Sequence, residues 1–346
     1  MLIKDSIDKD VLFIDVRAPS EYEVDHVPNA IHIPVLDDEE RKQVGIAYRK
    51  NEDNAMDIGL EYYSKKLPKL VSFIKKLDKK KKAVVYCWRG GKRSKAMVQL
   101  FDLLGFDAYQ LTGGHKAYRA YVMEELAKVN ANFIKNCRTI SSNHLDFGPN
   151  KFIVLYGFAG VGKTELIKKL NNSIDLEGLA QHRSSVFGSI GLKPRKQKLF
   201  ESLMLDQFKK LNGLIFIEGE SRKIGDIQIP DNIFKMIKKG INIKVNRSMD
   251  NRVKQIMKDY FIKPDKEEIK KIILSLKQNL GKKMMDEFIE LVESDNYKEL
   301  SQRLLEEYYD DLYKHTINNV KYSYEVNNDD LDECLKQLEK IFHENK

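Results

Sequence analysis

The sequence predicts two α/β domains with mostly parallel sheets, the second ending in a helical subdomain. Three observations carry this. Short apolar runs alternate with segments of helical spacing. Two of those runs lead straight into glycine-rich loops, and beyond Pro264 the chain is helical in period and rich in Lys and Glu. A length of 346 residues is enough for two domains that each bury a core. With 42% hydrophobic and 32% charged residues the balance is that of a soluble globular protein. No apolar run approaches the roughly 18 residues of a membrane span, and the N-terminus lacks the apolar stretch of a signal peptide. A cytoplasmic protein without a membrane partner is expected.

In chain order, the run from Val11 to Val16 reads as a buried strand, and Arg17-Ala18-Pro19-Ser20-Glu21 as a turn and helix start. Ala83-Val84-Val85-Tyr86 is a second strand, delivering Cys87 into a loop, and Ser94 to Leu104 has helical spacing. Leu111-Thr112-Gly113-Gly114-His115 reads as a strand end and tight turn before a helix from near Lys116. A polar stretch, including Arg138-Thr139-Ile140-Ser141-Ser142, then separates the halves, giving domains at 1–128 and 151–346 with a connection at 129–150. Phe152-Ile153-Val154-Leu155-Tyr156 is the next strand, Glu165 to Leu170 a helix, and Leu214-Ile215-Phe216-Ile217-Glu218 a buried strand ending in an acid.

Three separated cysteines, Cys87, Cys137 and Cys334, argue against a disulfide framework and against a C-x-x-C zinc site. Cys137 and Cys334 read as ordinary thiols. A net charge of +8 points to an anionic macromolecular partner, although a solvated face explains runs such as Lys79-Lys80-Lys81-Lys82 equally well.

The loop Cys87-Trp88-Arg89-Gly90-Gly91-Lys92-Arg93-Ser94 has the composition of an anion cup. Gly90 and Gly91 permit backbone N–H groups to converge on the sulfur, while Arg89, Lys92 and Arg93 add charge that favours the thiolate. Cys87 therefore reads as a nucleophile or chalcogen carrier. Together with Asp15-Val16-Arg17, the His26 to Pro34 segment and Leu111-Thr112-Gly113-Gly114, this loop resembles the rhodanese family over about residues 5 to 125. The resemblance implies a rhodanese-like domain whose loop cysteine cycles through a persulfide or selenium-bound form. Asp15 and Arg17 read as a pair that organises the fold.

Gly157-Phe158-Ala159-Gly160-Val161-Gly162-Lys163-Thr164 matches the G-x-x-x-x-G-K-[ST] phosphate loop, in the strand–loop–helix setting it requires. A P-loop NTPase-like domain follows from it. Gly157, Gly160, Val161 and Gly162 let main-chain N–H groups approach phosphate oxygens, Lys163 reaches the terminal phosphates, and Thr164 with Glu218 are candidates for positioning Mg²⁺. Asp175, Glu177, His182, Arg183, Glu220 and Arg222 are further candidates for this site. The two arginines read as phosphate partners or as ion pairs, and His182 as a base or a structural histidine.

The order of these segments resembles the tRNA 2-selenouridine synthase family across nearly the whole chain. The likeness adds Asp38-Glu39-Glu40-Arg41 with Val44-Gly45 and Tyr48, the run from Asp175 to Phe187, Arg252-Val253, Asp259-Tyr260, and Leu304 to Asp310. Gly219 stands where the family leads one to expect an acid. The resemblance implies a transferase acting on tRNA with 2-thiouridine at the wobble position. Its sulfur is alkylated by geranyl diphosphate and then displaced by selenium from selenophosphate, which a separate enzyme supplies; ATP is not expected to be required. Cys87 would carry selenium as a selenosulfide or guide selenophosphate into the loop, and Trp88 would stack on the base or pack under the loop. Two other readings stay open: an ATP-dependent kinase-like or sulfurtransferase enzyme, and a regulatory module that only senses anions.

Overall fold

The computed structural model describes residues 1–7, 10–135 and 151–346, so Cys137 and most of the expected interdomain connection lie outside the described residues. Two compact units form, one of residues 1–128 with 196–206, the other of residues 129–195 with 207–346.

In the first unit, strands β1 (Val11–Asp15), β2 (Ile31–His32), β3 (Lys82–Tyr86) and β4 (Ala108–Gln110) make a parallel sheet of order β2-β1-β3-β4. Ala83, Val84, Val85 and Tyr86 are fully buried, as an unbroken apolar run must be when both sheet faces are covered. Register sets Asp15 opposite Tyr86, so both central strands stop at the level where Cys87 begins its loop. Arg17 turns back onto Asp15 at 2.6 Å and onto the Asp25 carbonyl at 2.5 Å, with side chains only 2% and 0% exposed in the ion pair. Two charges are costly there, and the cost is offset by several charge-assisted hydrogen bonds that fix the strand end.

Helices Asp38–Lys50 and Glu52–Ile74 connect β2 to β3. Asp37 accepts from the Glu40 N–H and Glu40 accepts from the Asp37 N–H, both at 2.8 Å, a reciprocal cap that defines the first start. Asn51 ends the first helix and caps the second by accepting from the Asp53 and Asn54 N–H groups. Helix Lys92–Leu103 follows the Cys87 loop, and helix Gly114–Lys135 starts two residues earlier than the sequence pattern indicates.

The second unit holds β5 (Lys151–Tyr156), β6 (Ser173–Ile174), β7 (Leu214–Glu218), a small antiparallel pair β8 (Lys223–Ile224) and β9 (Ile227–Gln228), β10 (Ile241–Asn246) and β11 (Tyr324–Asn327). Its main sheet is parallel, in the order β11-β10-β5-β7-β6. The phosphate loop leaves the central strand β5, and β7 lies beside it with Glu218 opposite Leu155. Ligands in open α/β sheets sit at this carboxyl edge. Helices Lys163–Lys169 and Leu331–Asn345 contribute Leu166, Ile167, Cys334 and Leu338 to the core on the sheet. A separate helical core around Phe288, Leu300 and Leu305 forms the expected subdomain. The region beyond Pro264 is not helical throughout, because β11 completes the sheet edge. Only Val326 of its four residues is buried, too short an alternation to stand out in a polar sequence. No helix among the described residues is long and apolar enough to cross a membrane.

Candidate active site

Among the described residues, each unit places a candidate site at the carboxyl end of its central strands. In the first, the Gly91 N–H donates to Cys87 Sγ at 3.1 Å and Ser94 Oγ lies 3.2 Å from it. Gln110 Nε2 donates to Ser94 Oγ at 2.8 Å and to the Gly91 carbonyl at 3.0 Å, which holds the serine in place. Burial pushes the thiol up, but the Ser94 hydroxyl and N–H, the Arg93 charge and the Gly91 N–H outweigh it and bring it below the ordinary thiol value. Arg93 itself is fixed by Glu21 at 2.9 Å, which also meets Arg41 at 2.9 Å. Gly90 has φ +71° and Gly114 φ +57°; a Cβ on Gly114 would stand 2.3 Å from the Cys87 carbonyl. Both positions need glycine.

Of the other loop residues, Trp88 and Arg89 are exposed and Lys92 pairs with Glu52 at 2.9 Å. The Trp88 ring lies 5.7 Å from that of His115. His115 and Asp25 are 2% and 1% exposed, with His115 Nε2 3.2 Å from Asp25 Oδ2, and Ser202 Oγ donates to Asp25 Oδ1 at 2.8 Å. The His115 N–H donates to the Cys87 carbonyl at 2.9 Å, so this buried group supports the loop from beneath. The sequence gives no spacing signal for it, since its members come from three distant segments.

In the second unit a cleft of about 390 Å³ is lined by Gly160, Lys163, Thr164, Arg183, Glu220 and Tyr260, among others. Gly160 and Gly162 have φ +78° and +86°, as a phosphate cradle demands. Lys163 Nζ donates to the Gly157 carbonyl at 3.0 Å, and the Val161 carbonyl accepts from Asn328 Nδ2 at 2.7 Å. Arg252, which is buried, donates from Nε to the Ala159 carbonyl at 2.9 Å and from Nη1 to Asp310 at 3.0 Å. Asn328 and Arg252 hold the loop from outside. The sequence signal for Arg252 was its place in the family likeness with Val253, which carries no assignment to the loop.

Thr164 Oγ1 lies 2.8 Å from Glu177 Oε2 and 2.6 Å from Glu218 Oε1. A hydroxyl has one proton, so Thr164 can donate to only one of the two carboxyl groups. Burial and then the Glu220 charge push Glu177 up to about 8; burial and then Glu177 push Glu218 well above the carboxylate range. These hard oxygens fit a divalent cation, which would relieve the crowding of acids. Among the described residues no group of three or more His, Cys, Asp or Glu side chains is arranged to hold a metal ion.

The remaining candidates separate. Glu220 and Arg183 line the cleft, the latter 4.9 Å over the Tyr260 ring. Asp175 caps helix Leu176–Ala180, accepting from the Gly178 N–H at 2.7 Å. Arg222 pairs with Asp231 at 2.7 Å on the surface, and His182, pushed down by burial, packs against Gly188 and Gly225; neither lines the cleft. At Gly219 a Cβ would stand 2.5 Å from the Tyr156 ring, so the packing there excludes an acid.

A cysteine loop on a rhodanese-like sheet, followed by a phosphate loop on a second parallel sheet, defines a class of two-domain protein. The sequence matches the Rhodanese-like domain over residues 2–121 and the tRNA 2-selenouridine synthase AAA domain over residues 150–345. It is 33% identical over 264 residues to the tRNA 2-selenouridine synthase of Nitrosomonas europaea, covering 73% of this chain and 64% of that one. The corresponding protein of Hydrogenovibrio crunogenus is 32% identical, with 73% and 68% covered. That of Sulfurovum sp. is 29% identical over 94% of both chains. The match thus spans just under two thirds of the Nitrosomonas protein's length. This chain belongs to the tRNA 2-selenouridine synthase family.

Proposed function

We propose that this protein modifies tRNA in the cytoplasm, converting wobble 2-thiouridine to 2-selenouridine through an S-geranyl intermediate. In the first step the thiouridine sulfur attacks C1 of geranyl diphosphate, the C–O bond breaks, and the electron pair leaves on diphosphate. Lys163, the loop N–H groups and Arg183 stabilise that developing charge. Thr164, Glu177 and Glu218 would hold Mg²⁺, which supplies further neutralisation of the diphosphate when bound. In the second step selenium of selenophosphate attacks C2 and the geranyl thiolate leaves with the C–S electron pair. Water then cleaves the Se–P bond and releases phosphate, so no oxidant or reductant is needed. Cys87 acts in this half, at the selenium donor, in a cup whose N–H groups and Arg93 favour anions.

The observation that carries the reading is that one chain holds both a Cys87 sulfur that accepts from the Gly91 N–H, with its thiol below the ordinary value, and a phosphate-loop backbone ending at Lys163. Family membership supports the nucleoside and the chalcogen. The net charge of +8 supports a tRNA partner. Mass spectrometry of nucleosides from thiolated tRNA, incubated with the protein while omitting each donor in turn, tests it. Geranylated thiouridine should form without selenophosphate and convert to selenouridine on its addition. Formation of product only with ATP would favour an ATP-dependent sulfurtransferase instead.

A further inference from the structure

Beside Cys87 lies a cavity of about 690 Å³, within the range of about 300–1,000 Å³ typical of small-molecule sites. Its floor is Cys87 and its rim carries Trp88, Arg89 and Arg93. Its wall is mostly hydrocarbon, with Leu36, Val44, Met56, Leu60 and Tyr63 mainly from helices Asp38–Lys50 and Glu52–Ile74, and the Glu52–Lys92 pair as its charged part. Leu60 remains 51% exposed and Tyr48, also on the wall, 57%. A cup that handled only a small chalcogen anion would have no use for such a wall. Concavity and the thiol at the floor point to a small ligand rather than a protein surface, which would cover Cys87.

We propose that this cavity binds the prenyl chain of the S-alkylated nucleoside, leaving the charged half of the cup for the selenium donor. The inference rests on the two-step function above. The helical pair then acts as the recognition element of the second step: an apolar wall takes the hydrocarbon of the leaving group, and the unalkylated thiouridine gains nothing from it.

Trp88 is the single tryptophan of the chain and lines the cavity, so its fluorescence reports occupancy. The full chain is titrated with S-geranyl-2-thiouridine and with S-methyl-2-thiouridine nucleosides. Since each buried methylene is worth about fourfold in affinity, the geranyl nucleoside should saturate the signal at a concentration at least about tenfold lower. Leu60→Glu, on a half-exposed helix position, should abolish that preference, and Met56→Glu should do the same. Equal half-saturation for both nucleosides, or a preference untouched by both substitutions, would overturn the proposal. Failure of the underlying function shows separately, as no geranylated nucleoside formed by the wild-type chain from thiolated tRNA and geranyl diphosphate. A normal geranylated product with a prenyl-blind Trp88 sinks the cavity assignment alone.

Discussion

The Cys87 sulfur is held against burial by donors that favour its thiolate, and Ser94 is the largest of these. Removing the hydroxyl leaves burial less opposed, so the thiol value rises and less thiolate exists at a given pH. The pH midpoint of Cys87 alkylation by iodoacetamide, followed by peptide mass, should therefore move upward in Ser94→Ala; an unchanged midpoint would remove the serine from this role. Gly114 is tied to the same loop by sterics. Gly114→Ala puts a methyl group against the Cys87 carbonyl at positive φ, a conflict expected to cost about 1–3 kcal/mol, visible as a lowered thermal midpoint. The sequence makes Cys87 and its glycines legible because loop chemistry is local. The His115, Asp25 and Ser202 group is not legible, because only the folded chain brings those residues together.

At the level of elements, the phosphate loop is recognisable from its own residues, whereas its supports are not. Arg252 sits on helix Met249–Tyr260 and reaches the loop through the Ala159 carbonyl, with Asp310 holding its other edge. Arg252→Ala should raise the KM for geranyl diphosphate about tenfold, in steady-state assays of geranylation, without removing any group that touches the diphosphate. An unchanged KM would show that the loop keeps its shape unaided. Strand β11 illustrates a different limit. Four residues with one buried side chain carry almost no periodicity, and β10 supplies the pairing that makes them a strand. The cavity wall was equally hidden: its helices are capped at Asp37 and Asn51, but which apolar residues converge over Cys87 depends on packing.

On the scale of the whole molecule, the fold class was readable from alternating strands and helices, and the two sites fall one to each compact unit. With 60 Lys and Arg against 52 Asp and Glu, tRNA binding should be strongly salt-dependent, weakening at least about tenfold between about 50 and 200 mM salt in filter-binding titrations. In the proposed function the two sites perform successive steps. It is tested most directly by nucleoside mass spectrometry of thiolated tRNA treated with both donors and either Cys87→Ala or Lys163→Ala. Cys87→Ala should accumulate S-geranyl-2-thiouridine with selenouridine lost, while Lys163→Ala should form little geranylated product yet convert supplied S-geranyl tRNA to selenouridine. Loss of both products in Cys87→Ala, or normal geranylation by Lys163→Ala, would contradict it.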